Sequence, residues 1–210
     1  DPRYKDYVEK RLKFIGDAAA AFRKPAAHYE EWEGRMPLRN LINPRTLDDT
    51  GAMSAAMIKA IRGGSTANVR PVVDNGIKHI MTGQHRLADG TLARMRPQPN
   101  TLWLDDMFMG VPAIAQMGKL TGDTKYYDEA CRQVLLFAKK MFNKEKGVYM
   151  HGWVEGMGEH PEFRWARANG WAFMTEVELL EVLPENHPQR PQILQLLRDH
   201  AKGLVSYQSG

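Results

Sequence analysis

The chain has 210 residues, 43% of them hydrophobic, which is enough for one sizeable core. It holds no run of about 18 apolar residues that would span a bilayer. Its 29 basic and 25 acidic residues give a net charge of +4. They are scattered along the chain, with no basic cluster interleaved with aromatics of the kind a nucleic-acid footprint requires, so neither nucleic acid nor a membrane is expected as a partner. Cys131 is the single cysteine, which rules out an internal disulfide and leaves the redox compartment open. The opening Asp1-Pro2 lacks an initiator Met and any signal-peptide pattern, and reads as a trimmed terminus.

The hydrophobic period is helical almost throughout. Tyr4, Val8, Leu12, Ile15, Ala19 and Phe22 recur at steps of three and four and predict a first helix that Pro25 ends. A second follows Thr46 and runs to Gly63-Gly64, and a third spans about Asn68 to Thr82, interrupted by Pro71 and Gly76. Ala88-Asp-Gly-Thr-Leu92 reads as a tight turn into an extended stretch that ends at Pro97. The fourth helix runs from about Leu104 to Leu120 and is bent at Pro112, with Thr121-Gly-Asp123 as its turn. Tyr127, Cys131, Val134, Phe137 and Met141 mark the fifth. A long loop from Asn143 to Phe163 leads to the sixth, from Arg167 to Leu183, which Pro184 stops. The last helix runs from about His187 to Tyr207. Short turns alternate with long loops, an arrangement that lets helical hairpins gather their long loops at one mouth, where function is expected.

The residues that carry chemistry fall at those mouths. Asp105 and Asp106 sit side by side after Trp103, at the start of the fourth helix. A structural role is open to both, because negative charge in a first turn complements the helix dipole by about 0.3–1 kcal/mol. Asp49 has a similar alternative, since Thr46 and Asp49 stand at capping-box spacing. His151 lies on the long loop between Met150 and Gly152. Arg167 and Trp171 are one helical turn apart, where a guanidinium meets a carboxylate and an indole packs on a sugar ring. Trp103 and Trp153 are further stacking candidates, and Arg94 and Arg96 alternate along the extended stretch so that both point one way. Aromatics, a His and an Arg recurring at successive helix mouths read as the rim of a sugar pocket. There is no phosphate-binding glycine loop, His-Glu-x-x-His helix or cysteine cluster, so neither a metal nor a nucleotide cofactor is expected.

Four motifs, in order, resemble the unsaturated rhamnogalacturonyl hydrolases of glycoside hydrolase family 105. They are Trp103-Leu-Asp-Asp-Met-Phe-Met-Gly-Val-Pro112, Thr121-Gly-Asp-Thr-Lys-Tyr-Tyr127, Tyr149-Met-His-Gly-Trp153 and Trp165-Ala-Arg-Ala-Asn-Gly-Trp171. The resemblance extends from Asp48-Asp-Thr-Gly51 to Gly203-Leu-Val-Ser-Tyr-Gln208. It implies an all-α fold, an (α/α)6 toroid of helical hairpins, of which this chain supplies about seven helices. Residues 1–210 are then expected to form a single (α/α)6 catalytic domain without a segment before Asp1 and without the hairpins after Gly210.

The resemblance also implies a reaction. Pectin lyases leave a 4,5-unsaturated uronic acid at the non-reducing end of their products, and enzymes of this kind remove it by hydrating the double bond. An acid protonates C4, an oxocarbenium-like centre forms at C5, water adds there, and the hemiketal opens to release the saccharide. One carboxyl group is able to serve both proton transfers. The motif assigns that role to Asp105, with Asp106 as its rival. Asp49, before Thr-Gly, is assigned to the same cavity. A helix N-terminus favours an ionised carboxyl group, the wrong direction for a proton donor; burial under aromatics or a second carboxylate opposes it, and Asp49 is the candidate for that charge. Trp103, His151, Trp153, Arg167, Trp171 and Arg94 are expected to bind the anionic oligosaccharide. The implied setting is bacterial cytoplasm or periplasm. Two alternatives stay open: an unsaturated glucuronyl hydrolase acting on other lyase products, and a non-catalytic α-helical carbohydrate-binding module. The module has no evident use for two carboxylates facing an anionic sugar.

Overall fold

The computed structural model describes residues 2–26 and 38–208. They form two compact units, residues 1–84 and 85–210.

The first unit contains α1 (Pro2–Ala26), α2 (Arg39–Ile42), a 3-10 turn (Leu47–Asp49), α3 (Gly51–Arg62), α4 (Arg70–Lys78) and a π-helical turn (His79–Gly83). One stripe of α1 buries Leu12 and Ala19, and Gly16 lets the helix approach the Asn68 carbonyl, which a Cβ would meet at 2.6 Å. Glu9 ties this face down by accepting from the hydroxyl of Ser65 (2.6 Å) and from the amide of Thr66 (2.8 Å). The N-terminal part of the same expected stripe, Tyr4 and Val8, is exposed instead of buried, as are Tyr7 and Phe14. Helices α3 and α4 pack through Met57, Ile58, Val72, Val73 and Ile77. The third helix expected from the sequence differs in detail. Pro71 falls in the first turn of α4, where its missing N–H has no partner to lose, so it starts the helix and does not interrupt it. Gly76 is a buried packing contact against the Thr50 and Ser54 hydroxyls, with no break in the helix. The four-residue α2 carried too few residues to show a period; it is held by Asn75, whose amide donates to the carbonyls of Leu41 and Ile42 at 2.9 Å each.

The second unit contains β1 (Thr101–Trp103), α5 (Asp105–Thr121), α6 (Thr124–Met141), β2 (Phe142–Asn143), β3 (Val148–Tyr149), β4 (Gly152–Val154), α7 (Ala166–Val182) and α8 (Arg190–Ser206). Helix α5 is apolar on nearly all sides and packs against both α6 and α7, burying Met107, Val111, Ala113, Ile114, Ala115 and Met117. Pro112 lies inside it, also buried. Gly122, at φ 74°, ends it in the left-handed conformation, and the Asp123 side chain then caps α6 by accepting the Lys125 amide at 3.1 Å. The apolar stripe expected on α6, from Tyr127 to Met141, is its buried face. The segment expected as a long loop from Asn143 to Phe163 is more ordered than its composition suggests. β2 pairs antiparallel with β3, and β4 pairs antiparallel with β1. These strands are two or three residues long, too short for a period of two to show in the sequence. Among the described residues no helix is long and apolar enough to cross a membrane.

Candidate active site

The second unit brings most of the expected chemistry together through one short ladder. In the β1–β4 pair Trp103 lies opposite Gly152 and Leu102 opposite Trp153. The Leu104 amide, just beyond β1, donates to the His151 carbonyl at 2.9 Å. That bond aligns the start of α5 with the residue before β4, so Asp105 and His151 face each other. Asp105 Oδ2 and His151 Nδ1 are 3.4 Å apart, both atoms are buried, and neither has a hydrogen-bond partner. The His151 amide in turn donates to the Phe163 carbonyl at 2.7 Å, which fixes this residue from the other side.

Asp106 has a different environment. Its two oxygens accept from Arg94 Nε and Nη2 at 2.7 Å each, and its side chain is 1% exposed against 15% for Arg94. A bidentate, buried, charge-assisted pair of this kind holds the carboxylate ionised and occupied. The adjacency that left Asp105 and Asp106 equivalent by spacing is resolved by the helix itself. Successive residues point about 100° apart, and only one of the two points at His151.

Arg94 also lies 4.2 Å from the centroid of the Trp103 ring, so one guanidinium holds Asp106 and covers an indole face. Arg96, expected to point the same way, is exposed, and the bond it makes with Pro97 is cis. Trp103 is 6.0 Å from the His151 ring and His151 is 4.9 Å from Trp165, in a T-shaped contact. Arg167 lies 3.6 Å over Trp165 and forms no ion pair among the described residues. Both Trp165 and Arg167 are exposed. The row Arg94, Trp103, His151, Trp165, Arg167 is therefore continuous, with the Asp105 carboxylate behind its middle.

Trp171 packs against Phe108, one turn along α5 from Asp105, at 4.6 Å, while Arg167 stacks on Trp165. One expected residue lies elsewhere. Trp153 points to the other face of the two-stranded ladder from Trp103, because side chains alternate along a strand. There it stacks on His160 at 5.2 Å with an 11° interplanar angle, with the Lys140 ammonium 5.5 Å away. Trp165, which the sequence did not single out as a site residue, flanks the His151 ring; its position immediately before a helix in an aromatic-rich motif was the signal available.

Asp49 belongs to the first unit. Its Oδ2 accepts the amides of Arg45 (2.7 Å) and Thr46 (3.0 Å), and with Thr46 it forms a capping box. His79, in the π-helical turn, is close enough for Asp49 to oppose the lowering of its pKa that burial causes, and its Nε2 is buried without a hydrogen-bond partner.

The family model described as Glycosyl Hydrolase Family 88 matches residues 1–210, and the chain belongs to that family. Among curated proteins it is similar to an unsaturated 3S-rhamnoglycuronyl hydrolase of Alteromonas sp. (strain LOR), 33% identical over 109 residues that cover 50% of this chain and 26% of that protein. It is also similar to the unsaturated rhamnogalacturonyl hydrolase YesR of Bacillus subtilis (strain 168), 27% identical over 111 residues that cover 52% of this chain and 32% of that one. Among solved structures, a C. acetobutylicum ATCC 824 glycoside hydrolase from family 105 superposes with a TM-score of 0.67 at 25% identity, over 79% of this chain and 48% of that chain. The fold is thus that of the (α/α)6 glycoside hydrolases, and the chain spans less than half the length of these relatives.

Proposed function

We propose that this chain carries the proton-transfer site of a glycoside hydrolase that removes a 4,5-unsaturated uronic acid from the non-reducing end of rhamnogalacturonan-derived oligosaccharides. The observation that carries this reading is the Asp105–His151 pair, two buried and otherwise unpartnered titratable atoms 3.4 Å apart behind a row of aromatic and cationic side chains. In this reading Asp105 gives its proton to C4 of the vinyl ether. The cation that develops at C5 is taken by water, whose proton returns to the Asp105 carboxylate, and the hemiketal then opens to free the saccharide. His151 orients that water. Trp103 and Trp165 supply flat apolar walls, and Arg167, backed by an indole and free of any acidic partner among the described residues, meets the uronate carboxylate. Asp49 is retained as the second catalytic carboxylate on the strength of its Asp-Thr-Gly motif, and residues 1–210 as part of one catalytic domain. The name of one curated relative, an unsaturated rhamnogalacturonyl hydrolase, supports the substrate class, and the other is named an unsaturated 3S-rhamnoglycuronyl hydrolase.

The test is the ultraviolet absorbance of the conjugated enol ether, followed on rhamnogalacturonan digested with a lyase. Hydration destroys the chromophore, so the protein should abolish the absorbance and release one saccharide per chromophore lost. Binding of the oligosaccharide with the chromophore intact would instead make this a carbohydrate-binding module. Turnover confined to unsaturated glucuronyl oligosaccharides would move the specificity to that class.

A further inference from the structure

Next to the candidate site a fully buried polar network joins β3, α7 and α8. Asn169 is at its centre. Its Oδ1 accepts the Tyr149 amide at 2.8 Å and its Nδ2 donates to the Tyr149 carbonyl at 3.0 Å, so the side-chain amide pairs with that residue as a neighbouring strand would. Nδ2 also donates to the Trp165 carbonyl at 3.1 Å. Asn169 therefore grips the backbone two residues before His151 and the backbone of Trp165, the two segments that supply the aromatic row.

The orientation of that amide is set from α8. His200 Nε2 lies 3.2 Å from Asn169 Oδ1, and His200 Nδ1 lies 3.1 Å from Glu176 Oε2. Tyr149 donates its hydroxyl to the other oxygen of Glu176 at 2.8 Å. Because Oδ1 is the acceptor of the Tyr149 amide, the His200 nitrogen facing it must carry a proton. Another proton must then lie between His200 Nδ1 and Glu176, since two lone pairs facing each other at 3.1 Å would repel. Glu176 and His200 have no exposed side-chain surface, and the rings of Tyr149, Phe142 and Phe173 surround the imidazole at 5.0, 6.0 and 5.6 Å. A polar group this deep is stabilising only when every member is satisfied, and here each is.

We propose that Asn169, oriented by the buried His200–Glu176 pair, is the positioning residue that holds His151 against Asp105 and Trp165 beside them. The inference rests on the reading of Asp105 and His151 as the reacting pair. Its consequence is kinetic, because misplacing a reacting group by about 1 Å costs on the order of 10²-fold in rate.

The experiment uses the protein with Asn169→Ala, His200→Leu, His200→Gln and, as a control for lost packing alone, Ile193→Ala, which removes a buried α8 side chain outside the network. Asn169→Ala and His200→Leu should lower kcat on the order of 10²-fold and displace the imidazole NMR signals of His151. His200→Gln, which keeps an N–H donor for Asn169, should restore kcat to within a few fold. Ile193→Ala should lower thermal stability yet leave kcat and the His151 signals where they were. Unmoved His151 signals in folded Asn169→Ala, or a control that behaves like the network variants, overturns the proposal. If the network variants do not fold, nitrogen NMR of the wild-type protein decides the matter. His200 must carry a proton on Nε2, and a bare Nε2 overturns it. A wild-type protein without hydrolase activity would sink the functional reading, while the His151 signals would still report on the positioning.

Discussion

Asp105 Oδ2 and His151 Nδ1 face each other at 3.4 Å with no hydrogen-bond partner for either, while the adjacent Asp106 is held through both its oxygens by Arg94. Two neighbouring carboxylates thus have opposite endowments. One is neutralised by a cation and fully hydrogen-bonded; the other is left open toward a group that exchanges protons. The first prediction follows from that difference. Asp105→Asn should lower kcat on the order of 10²–10⁴-fold with oligosaccharide binding nearly intact, as measured by steady-state kinetics and by direct titration. Near-wild-type turnover would remove Asp105 from the chemistry.

Arg94→Ala is expected to act mainly through stability. It leaves the Asp106 carboxylate buried without its cation, a loss of about 3–5 kcal/mol by denaturant unfolding. Arg94→Lys should recover only part of this, because an ammonium cannot reproduce the bidentate fork that spans both oxygens at 2.7 Å. A variant as stable as the parent would show that the pair contributes nothing net.

Arg167 is exposed and stacked at 3.6 Å on Trp165, so its truncation should cost little stability. If it meets the uronate, Arg167→Ala should raise KM for the charged substrate with kcat largely kept. An unchanged KM would return Arg167 to a surface role.

Acid sensitivity should localise in part to Asp89. Burial works to raise its pKa, but the Lys140 ammonium and the hydroxyl and amide of Thr91 outweigh it and hold the group at about 2. A depressed folded-state pKa contributes stability that is present above the ordinary aspartate value of about 3.9 and is lost as pH falls toward about 2. Asp89→Asn should therefore lower Tm at neutral pH and flatten the acid limb of the Tm-against-pH curve. An acid limb identical to the parent's would contradict this.

Cys131 offers a negative prediction. Its Sγ lies 3.9 Å from His187 Nδ1, and His187 Nε2 lies 3.1 Å from Asp128 Oδ1, an order of side chains that resembles a nucleophilic triad. Burial, with a smaller contribution from the Asp128 charge, pushes the thiol up to about 12. The Gln189 amide also points at His187 Nδ1, at 3.3 Å. The thiol is thus inert, and its alkylation near neutral pH should proceed only at the rate of unfolding. Rapid labelling of the folded protein would overturn that.

The sequence by itself determined the helices that bury a long apolar face. The three-and-four spacing from Tyr127 to Met141 can satisfy itself only as a helix with one side inward, and that side is buried. Motif order likewise pointed to the family, because Trp-x-Asp-Asp, Tyr-x-His-Gly-Trp and Trp-x-Arg-x-Asn-Gly-Trp are local strings that need no partner to be read. Their mutual geometry was not legible. Spacing could not separate Asp105 from Asp106, since both occupy one helical turn; the choice came from Arg94 reaching across from a different segment. Trp153 read as a rim residue by type alone, whereas strand alternation sent it to the face of the ladder opposite Trp103. Trp165 and Asn169 acquired their roles only when β3, α7 and α8 met. Periodicity is a property of neighbours along the chain and survives in the sequence; the pairing of a carboxylate with an imidazole depends on backbone hydrogen bonds between residues about 45 positions apart, such as the one from the Leu104 amide to the His151 carbonyl, and these exist only in the tertiary structure.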